Sequence, residues 1–256
     1  MSTLIVIPAR LGSTRLPRKP LRLLGGRPLI VRVWERVAAM HIADRVVVAT
    51  DSEAVASAAS GAGAEVAMTS AEHRSGTDRV AEVAARAEYA GYDVIVNVQG
   101  DEPYIGAESV HGAAGLVERG RFPLATAACR GTPEILLDTS VVKVVTDSHD
   151  RALYFSRAPI PFLRNASDRA QRDAVLRQHI GVYAYTRDAL ARWVTLPPHP
   201  LEISEQLEQL RPIADGIAMG VATVVPSASA GIDTEEDLAS ANARWPGEQP
   251  SAAGAH

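Results

Sequence analysis

Cysteine occurs once in the 256 residues, at Cys129. That excludes a disulfide framework and a cysteine-built metal site. No apolar run reaches the ~18 to 20 residues that span a bilayer. The amino terminus enters a strand-like segment with no signal-type apolar stretch. The expectation is a soluble, cytoplasmic protein with no membrane insertion. Lysine is nearly missing: Lys19 and Lys143 stand against 24 arginines. Coding bias accounts for much of that, as the abundant alanine suggests, but it makes the two lysines conspicuous. Walker-type Gly-x-x-x-x-Gly-Lys-Ser/Thr is absent, and so is Gly-x-Gly-x-x-Gly after the first apolar segment. There is no internal repeat. A pI near 6.0 lacks the basic excess of a nucleic-acid binder.

Acidic residues are also absent from the first thirty-four positions, which carry seven positive charges in a chain of formal charge −4. Six of these (Arg10, Arg15, Arg18, Lys19, Arg22, Arg27) follow an apolar strand, Leu4 to Ile7. A strand opening into a loop with Gly12, Ser13 and Thr14 among these cations suits a polyphosphate. Backbone N–H groups approach the oxygens and side chains neutralise them. The apolar share of 46% supports a substantial core, in one large domain or two small ones.

Apolar runs then alternate with helical patterns. Strands are expected at Leu4 to Ile7, Arg45 to Ala49, Glu65 to Met68 and Asp93 to Val98. Helices are expected from Pro28 through Val37, from Asp51 or Ser52 to Ser60, from Thr77 to Tyr89 and from Gly106 to Glu118. Strand–helix alternation implies a parallel sheet covered on both faces, with ligands beyond the carboxyl ends of its strands. Further on, Leu124 to Cys129, Val141 to Val145, Gly181 to Tyr185 and Met219 to Val224 read as strands. Asp188 to Val194, Ser204 to Leu210 and Thr234 to Ala243 read as helices. Asn165 to Arg177 is polar and reads as an exposed excursion. The expected organisation is a single domain over 1–245, with a nucleotide-binding half (1–120), a sugar-binding and dimerisation half (121–245), and a disordered tail over 246–256.

Five constellations offer chemistry. The loop from Arg10 to Lys19 is cationic. Gly100-Asp101-Glu102-Pro103 follows a strand, where a carboxylate can hold a hard cation or simply make a turn. Magnesium asks for one or two protein carboxylates beside substrate phosphates. Gly231-Ile232-Asp233-Thr234 offers a second carboxylate, or merely a helix cap. His73-Arg74-Ser75-Gly76-Thr77-Asp78-Arg79 caps a helix whose amino terminus can face a base or phosphate. Tyr154 to Arg157, Gln178 to Tyr183 and Glu208 to Arg211 are each structural when taken singly.

Together these segments resemble the 3-deoxy-manno-octulosonate cytidylyltransferase (CMP-Kdo synthetase) family, from about Leu4 to Leu238. The most specific pieces are Ile7 to Leu21 (IPARLGSTRLPRKPL), Val94 to Pro103 (VIVNVQGDEP), Ala152 to Arg157 (ALYFSR) and Leu207 to Arg211 (LEQLR). The resemblance implies a three-layer α/β, Rossmann-like nucleotidyltransferase fold with a smaller second-half excursion for dimerisation and sugar binding. It implies CMP transfer from CTP to an acidic 2-keto sugar with Mg²⁺, and a homodimer. It assigns nucleotide binding to Pro8, Ala9, Arg10, Ser13, Lys19, Ser75, Gly76, Thr77, Arg79 and Gln99. It assigns the sugar to Arg15, Gln99, Arg157, His179, Gly181, Tyr183, Glu208 and Gln209, and the metal to Asp101 and Asp233. Arg10, Arg15, Lys19 and Asp101 would carry catalysis. The sequence departs from the family at Leu11-Gly12 and at Arg18, where the family has Tyr-Ala and Gly. Alternatives are a sialic-acid-like or amino-substituted octulosonate as acceptor, or a catalytically silent nucleotide-binding module.

Overall fold

The computed structural model describes residues 1–13, 15–225 and 231–245. Thr14 and the tail expected from Pro246 onward lie outside the described residues. The first half contains β1 (Thr3–Ala9), a small hairpin of β2 (Leu23–Leu24) and β3 (Arg27–Pro28), α1 (Leu29–Ala38), β4 (Arg45–Thr50), α2 (Glu53–Ser60), β5 (Glu65–Met68), α3 (Gly76–Ala85), β6 (Val94–Val98) and α4 (Ala107–Glu118). The second half continues with β7 (Leu124–Arg130), β8 (Lys143–Thr146), β9 (Ala152–Ser156), α5 (Arg169–Val175), β10 (Arg177–Thr186), α6 (Arg187–Thr195), α7 (Pro200–Glu205), α8 (Leu210–Ala214), β11 (Met219–Val224) and α9 (Glu235–Arg244).

One sheet takes strands from both halves, in the order β11-β7-β10-β6-β1-β4-β5. Along this order the strands are parallel except β10, which runs antiparallel to both β6 and β7; β8 joins the same sheet antiparallel to the start of β10, and β9 pairs antiparallel with β8. β1 lies at the centre, and all seven of its residues are buried. Its alternate side chains serve two cores: Ile5 and Ile7 pack with α1 and α4, while Leu4 and Val6 pack with α3 and α6. A two-residue side-chain period does this in any strand with helices on both faces. Burying each such side chain contributes roughly 1.5–3 kcal/mol. The expected mostly parallel α/β sheet is therefore the observed one.

Local chemistry sets the helix starts near the cleft. Ser52 caps α2 by accepting from Val55 N–H, and Ser75 with Asp78 forms a capping box on α3. Thr234 with Asp237 does the same for α9. Such boxes satisfy donors that have no partner in the first helical turn.

Three expectations need correction. The helix expected from Thr77 to Tyr89 ends at Ala85, and a 3₁₀ turn covers Ala87–Tyr89. The helix expected over Ser204 to Leu210 is instead the break between α7 and α8, because Gln206 adopts φ 55° and closes α7. The strand expected at Gly181 to Tyr185 extends back to Arg177, and β9 pairs with β8 where no strand was expected. The excursion at 165–177 is largely exposed, but it contains α5, and Leu176 at its end is buried.

Candidate active site

Two adjoining cavities open beyond the carboxyl ends of β1 and β6. The larger, about 350 Å³, is lined by Pro8, Ala9, Arg10, Gly12, Ser13, Arg15, Lys19, Pro20, Ser75, Gly76, Arg79, Gln99, Gly100, Asp101 and Asp233. The second, about 210 Å³, is lined by Gly76, Thr77, Gln99, Gly181, Tyr183, Trp193, Glu208 and Gln209. Gly76 and Gln99 line both, so the two form one continuous cleft. Close approach of β1 and β6 depends on Gly100, where a Cβ would lie 2.7 Å from the Pro8 carbonyl oxygen.

Lys19 is the electrostatic centre of the larger cavity. Its Nζ donates to Asp101 Oδ2 at 2.6 Å and to Asp233 Oδ1 at 2.8 Å. Arg15 Nη2 lies 3.1 Å from Asp233 Oδ2. Residues separated by more than two hundred positions thus meet at one point. Burial pulls the Lys19 pKa down, and the two carboxylates more than offset this, leaving it raised. Glu102 lies behind them: burial, then the charges of Asp101 and Asp233, push it up to about 8. Gly231 permits this, since a Cβ there would stand 2.9 Å from Glu102 Oε1.

Arg79 is 2% exposed. It donates to Thr69 Oγ1 and lies 3.5 Å from Asp51 Oδ2, so the ends of β5 and β4 orient it. Ser75 and Gly76 present the amino terminus of α3 to the cavity, where the helix dipole favours an anion.

In the second cavity Thr77 Oγ1 donates to Glu208 Oε2 at 2.9 Å. Burial raises the Glu208 pKa, opposed in part by hydrogen bonds from Ser75 and Thr77. Gly181 and Tyr183 arrive from β10, whose reversed direction brings its first half to the cleft; Val182 pairs with Val98 of β6. Thr77, grouped with the nucleotide loop from sequence, therefore faces Glu208 on the other side of Gly76.

Two expected sugar residues stand outside both linings. His179 contacts Thr126 Oγ1 at 2.9 Å and packs against Phe155 and Tyr183, and this burial pulls it down to about 3, so the ring is neutral. Arg157 is held on backbone carbonyls of Thr139, Ser140 and Glu205. Conversely, Gly12, Pro20, Gly100 and Trp193 line the cleft without having been singled out as ligands. Trp193 gave no signal, because it reads as an ordinary apolar position on α6.

Residues 4–219 match a family model described as cytidylyltransferase. A 3-deoxy-manno-octulosonate cytidylyltransferase of Gemmatimonas aurantiaca is 56% identical over 245 residues, covering 96% of this chain and 95% of that protein. The chain belongs to the 3-deoxy-manno-octulosonate cytidylyltransferase family. The counterpart in Xanthomonas campestris pv. campestris is 46% identical over 248 residues, with coverage of 94% and 98%. Among solved structures, a CMP:2-keto-3-deoxy-manno-octonic acid synthetase complexed with CTP superposes with a TM-score of 0.88 at 38% identity. That match covers 97% of this chain and 100% of the other. In this member of the family no helix among the described residues is long and apolar enough to cross a membrane.

The donor chemistry of the larger cavity fits the magnesium expected for the family. Two carboxylates converge on a single cation, the Lys19 ammonium, so Asp101 and Asp233 stand close enough to share one positive charge. Among the described residues no group of three or more His, Cys, Asp or Glu could hold a metal. Two carboxylates completed by substrate phosphates is the arrangement magnesium accepts.

Proposed function

We propose that this protein transfers CMP from CTP to 3-deoxy-D-manno-octulosonate, forming CMP-Kdo and pyrophosphate and so activating the sugar for lipopolysaccharide synthesis. The carrying observation is the pair of joined cavities, one cationic and one lined by Gly181, Tyr183, Glu208 and Gln209. The triphosphate of CTP occupies the cationic cavity. Pro8 and Ala9 contribute backbone beside it, Arg10, Ser13, Arg15 and Lys19 hold its oxygens, and Ser75 and Gly76 present backbone N–H groups. Arg79, fixed by Thr69 and Asp51, stands at the nucleoside side.

The sugar lies in the second cavity against Gln99 and the β10 residues, and Arg157, which stands outside that lining, would have to turn its free Nη2 toward the cavity to meet the sugar carboxylate. Its anomeric oxygen forms a bond to the α-phosphorus as the bond from that phosphorus to the bridging oxygen of pyrophosphate breaks on the opposite side. The hydroxyl proton leaves to water. Both substrates are anions, so their approach needs fixed cations. Positioning and charge stabilisation supply most of the acceleration. Asp101 and Asp233 would hold Mg²⁺, which neutralises phosphate charge and lowers the pKa of a bound hydroxyl.

The chain works as a cytoplasmic homodimer, with the second half supplying the interface. An apolar groove of Pro133, Leu136, Leu137, Pro159, Pro161 and Phe162 supports this, with Leu137 83% and Phe162 82% exposed. Exposed apolar side chains grouped in this way mark interaction surfaces. Light scattering of the wild type and of Phe162→Asp tests it; a wild type that is monomeric at micromolar concentration removes the dimer.

A pyrophosphate-release panel crossing four nucleoside triphosphates with several 2-keto sugar acids tests the activity. The expected result is turnover with CTP and 3-deoxy-octulosonate. Faster turnover with a sialic or amino-substituted acid would move the acceptor. CTP binding without turnover on any sugar would leave a silent nucleotide-binding module.

A further inference from the structure

We propose that buried Lys143 and half-buried Glu205 form a brace behind the sugar side of the cleft, fixing Arg157 and the turn that carries Glu208 and Gln209. This rests on the reading of those three residues as sugar-facing. Lys143 is 0% exposed. Its ammonium meets no carboxylate at ion-pair distance among the described residues. Instead it donates to three backbone carbonyls: Asp138 at 2.9 Å, Val141 at 2.8 Å and Arg157 at 2.5 Å. All three donors of the group are thereby used. A buried charge carries a desolvation penalty of several kcal/mol, and an apolar residue of similar volume would fill the space at less cost. What the ammonium adds is fixed geometry. It ties the 138–141 loop to the exit of β9.

Register places this tie beside the cleft. Lys143 stands opposite Gln178 of β10 and opposite Ser156 of β9, in one row across three strands. His179 and Gly181 follow on β10, and Arg157 follows Ser156. Where β6 ends at Val98, β8 takes over as the neighbour of β10, so the β8–β9 hairpin extends the sheet along the sugar side.

Glu205 grips the same point from α7. Its Oε2 accepts from Arg157 N–H at 2.9 Å, its Oε1 accepts from Ser156 Oγ at 2.6 Å, and its own carbonyl accepts from Arg157 Nε at 3.1 Å. Arg157 Nη1 donates to Thr139 O at 3.0 Å. Nη2 of Arg157 carries no hydrogen bond among the described residues, which leaves it available to a carboxylate. The residue after Glu205 is Gln206 at φ 55°, which ends α7 and starts the turn to Glu208 and Gln209. Glu205 therefore sets the distance between Arg157, just past the end of β9, and the Glu208–Gln209 turn that follows α7. It is a positioning residue, and Lys143 is its counterpart on the opposite side of the Arg157 peptide.

The test is steady-state kinetics on the full chain with CTP and 3-deoxy-D-manno-octulosonate, using wild type, Glu205→Gln, Lys143→Met, Arg157→Ala and the Glu205→Gln/Arg157→Ala pair. Glu205→Gln keeps the shape but replaces a charged acceptor by an amide: either its NH₂ faces the Ser156 and Tyr154 hydroxyls, which must reverse, or it faces the Arg157 N–H, which loses its acceptor, and in both cases the charge-assisted hydrogen bonds are lost. The expected result is a KM for the sugar raised about tenfold, with the KM for CTP within about twofold, since ground-state binding is what suffers. In the Arg157→Ala background the same change should add less than about twofold, because linked residues do not add. Lys143→Met should show the same split; if it fails to fold, Glu205→Gln decides alone. The brace is overturned if both KM values stay unchanged, if both rise together, or if the effects of Glu205→Gln and Arg157→Ala multiply. A wild type that turns over with unsplit variants removes the brace alone. A wild type without turnover on this sugar removes the substrate reading, and the brace with it.

Discussion

Replacing Lys19 with alanine should strengthen divalent-cation binding to the CTP-free protein while crippling turnover. Lys19 bridges Asp101 at 2.6 Å and Asp233 at 2.8 Å. At an effective dielectric of 20, two unit charges 4 Å apart attract by about 4 kcal/mol. Desolvation takes back much of that, and exposure matters. The Asp233 side chain is 40% exposed and Asp101 29%, against 16% for Lys19. The Asp233 contact thus approaches the ~1 kcal/mol or less of a surface pair. A metal ion entering between the carboxylates must displace this ammonium first. Removing about 1–3 kcal/mol of competition should tighten the ion by roughly fivefold to 150-fold. Calorimetric titration of Mn²⁺ into wild type and Lys19→Ala, both without CTP, reads this directly. Asp101→Asn and Asp233→Asn are the controls that should lose the heat. In the same Lys19→Ala protein, turnover with CTP and Mg²⁺ should fall about a hundredfold or more, the scale of removing one preorganised charge stabiliser. Turnover should suffer more than sugar binding. Mn²⁺ binding that is unchanged or weaker in Lys19→Ala would refute the idea that the lysine occupies the cation position.

Gly100→Ala places a Cβ 2.7 Å from Pro8 O; forcing β1 and β6 apart should cost about 1–3 kcal/mol and lower kcat/KM, measured by pyrophosphate release. Gly25 sits at φ +55° with Trp245 side-chain atoms 2.1 Å from where a Cβ would be. Gly25→Ala should therefore lower Tm by roughly 3–8 °C in a calorimetric scan. Burial pushes Glu82 up, but hydrogen bonds from Ser70 N, Arg86 and His73 more than offset it and leave it at about 2. A carboxylate lowered on folding adds stability above its unfolded value near 4.3 that is lost as pH falls toward 2. Glu82→Gln should flatten the acid side of the stability curve between about pH 5 and 2; a denaturant series across that range that superposes on the wild type would exclude it.

How far the site was legible depends on which force wrote each segment. β1, β4, β5 and β6 show in the sequence because helices cover both faces and leave unbroken apolar runs. Ser52, Ser75 and Thr234 show because capping chemistry is local. The Lys19 loop shows through charge asymmetry, and Asp101 through its place at a strand end. The break at Gln206 does not show. Its neighbours have ordinary helix propensity, and the turn is held by Arg157 and Ser156, 48 and 49 positions away, on Glu205. α5 is seven residues with none buried, so it has no apolar face for periodicity to reveal. Lys143 is conspicuous by composition, yet nothing local says that its charge is buried on three carbonyls.

β10 explains why the sugar side resists sequence reasoning more than the nucleotide side does. In a parallel sheet the rule is to look after each strand, since ligands gather at carboxyl ends. β10 runs the other way between β6 and β7, so its first residues reach the cleft and its last residues lie at the far end. The relevant side chains therefore belong to the strand's own first half, Gln178 to Tyr183, and not to a loop beyond it. Those residues are only partly buried, apart from Val182, while Ala184 and Tyr185 deeper in the sheet are fully buried. Apolar patterning marks the deeper part alone. The polar beginning looks like the end of an exposed excursion. One reversed strand thus brings Gly181 and Tyr183 to the cleft, with His179 packed outside its lining, and the same reversal hides them from a reading built on parallel strands.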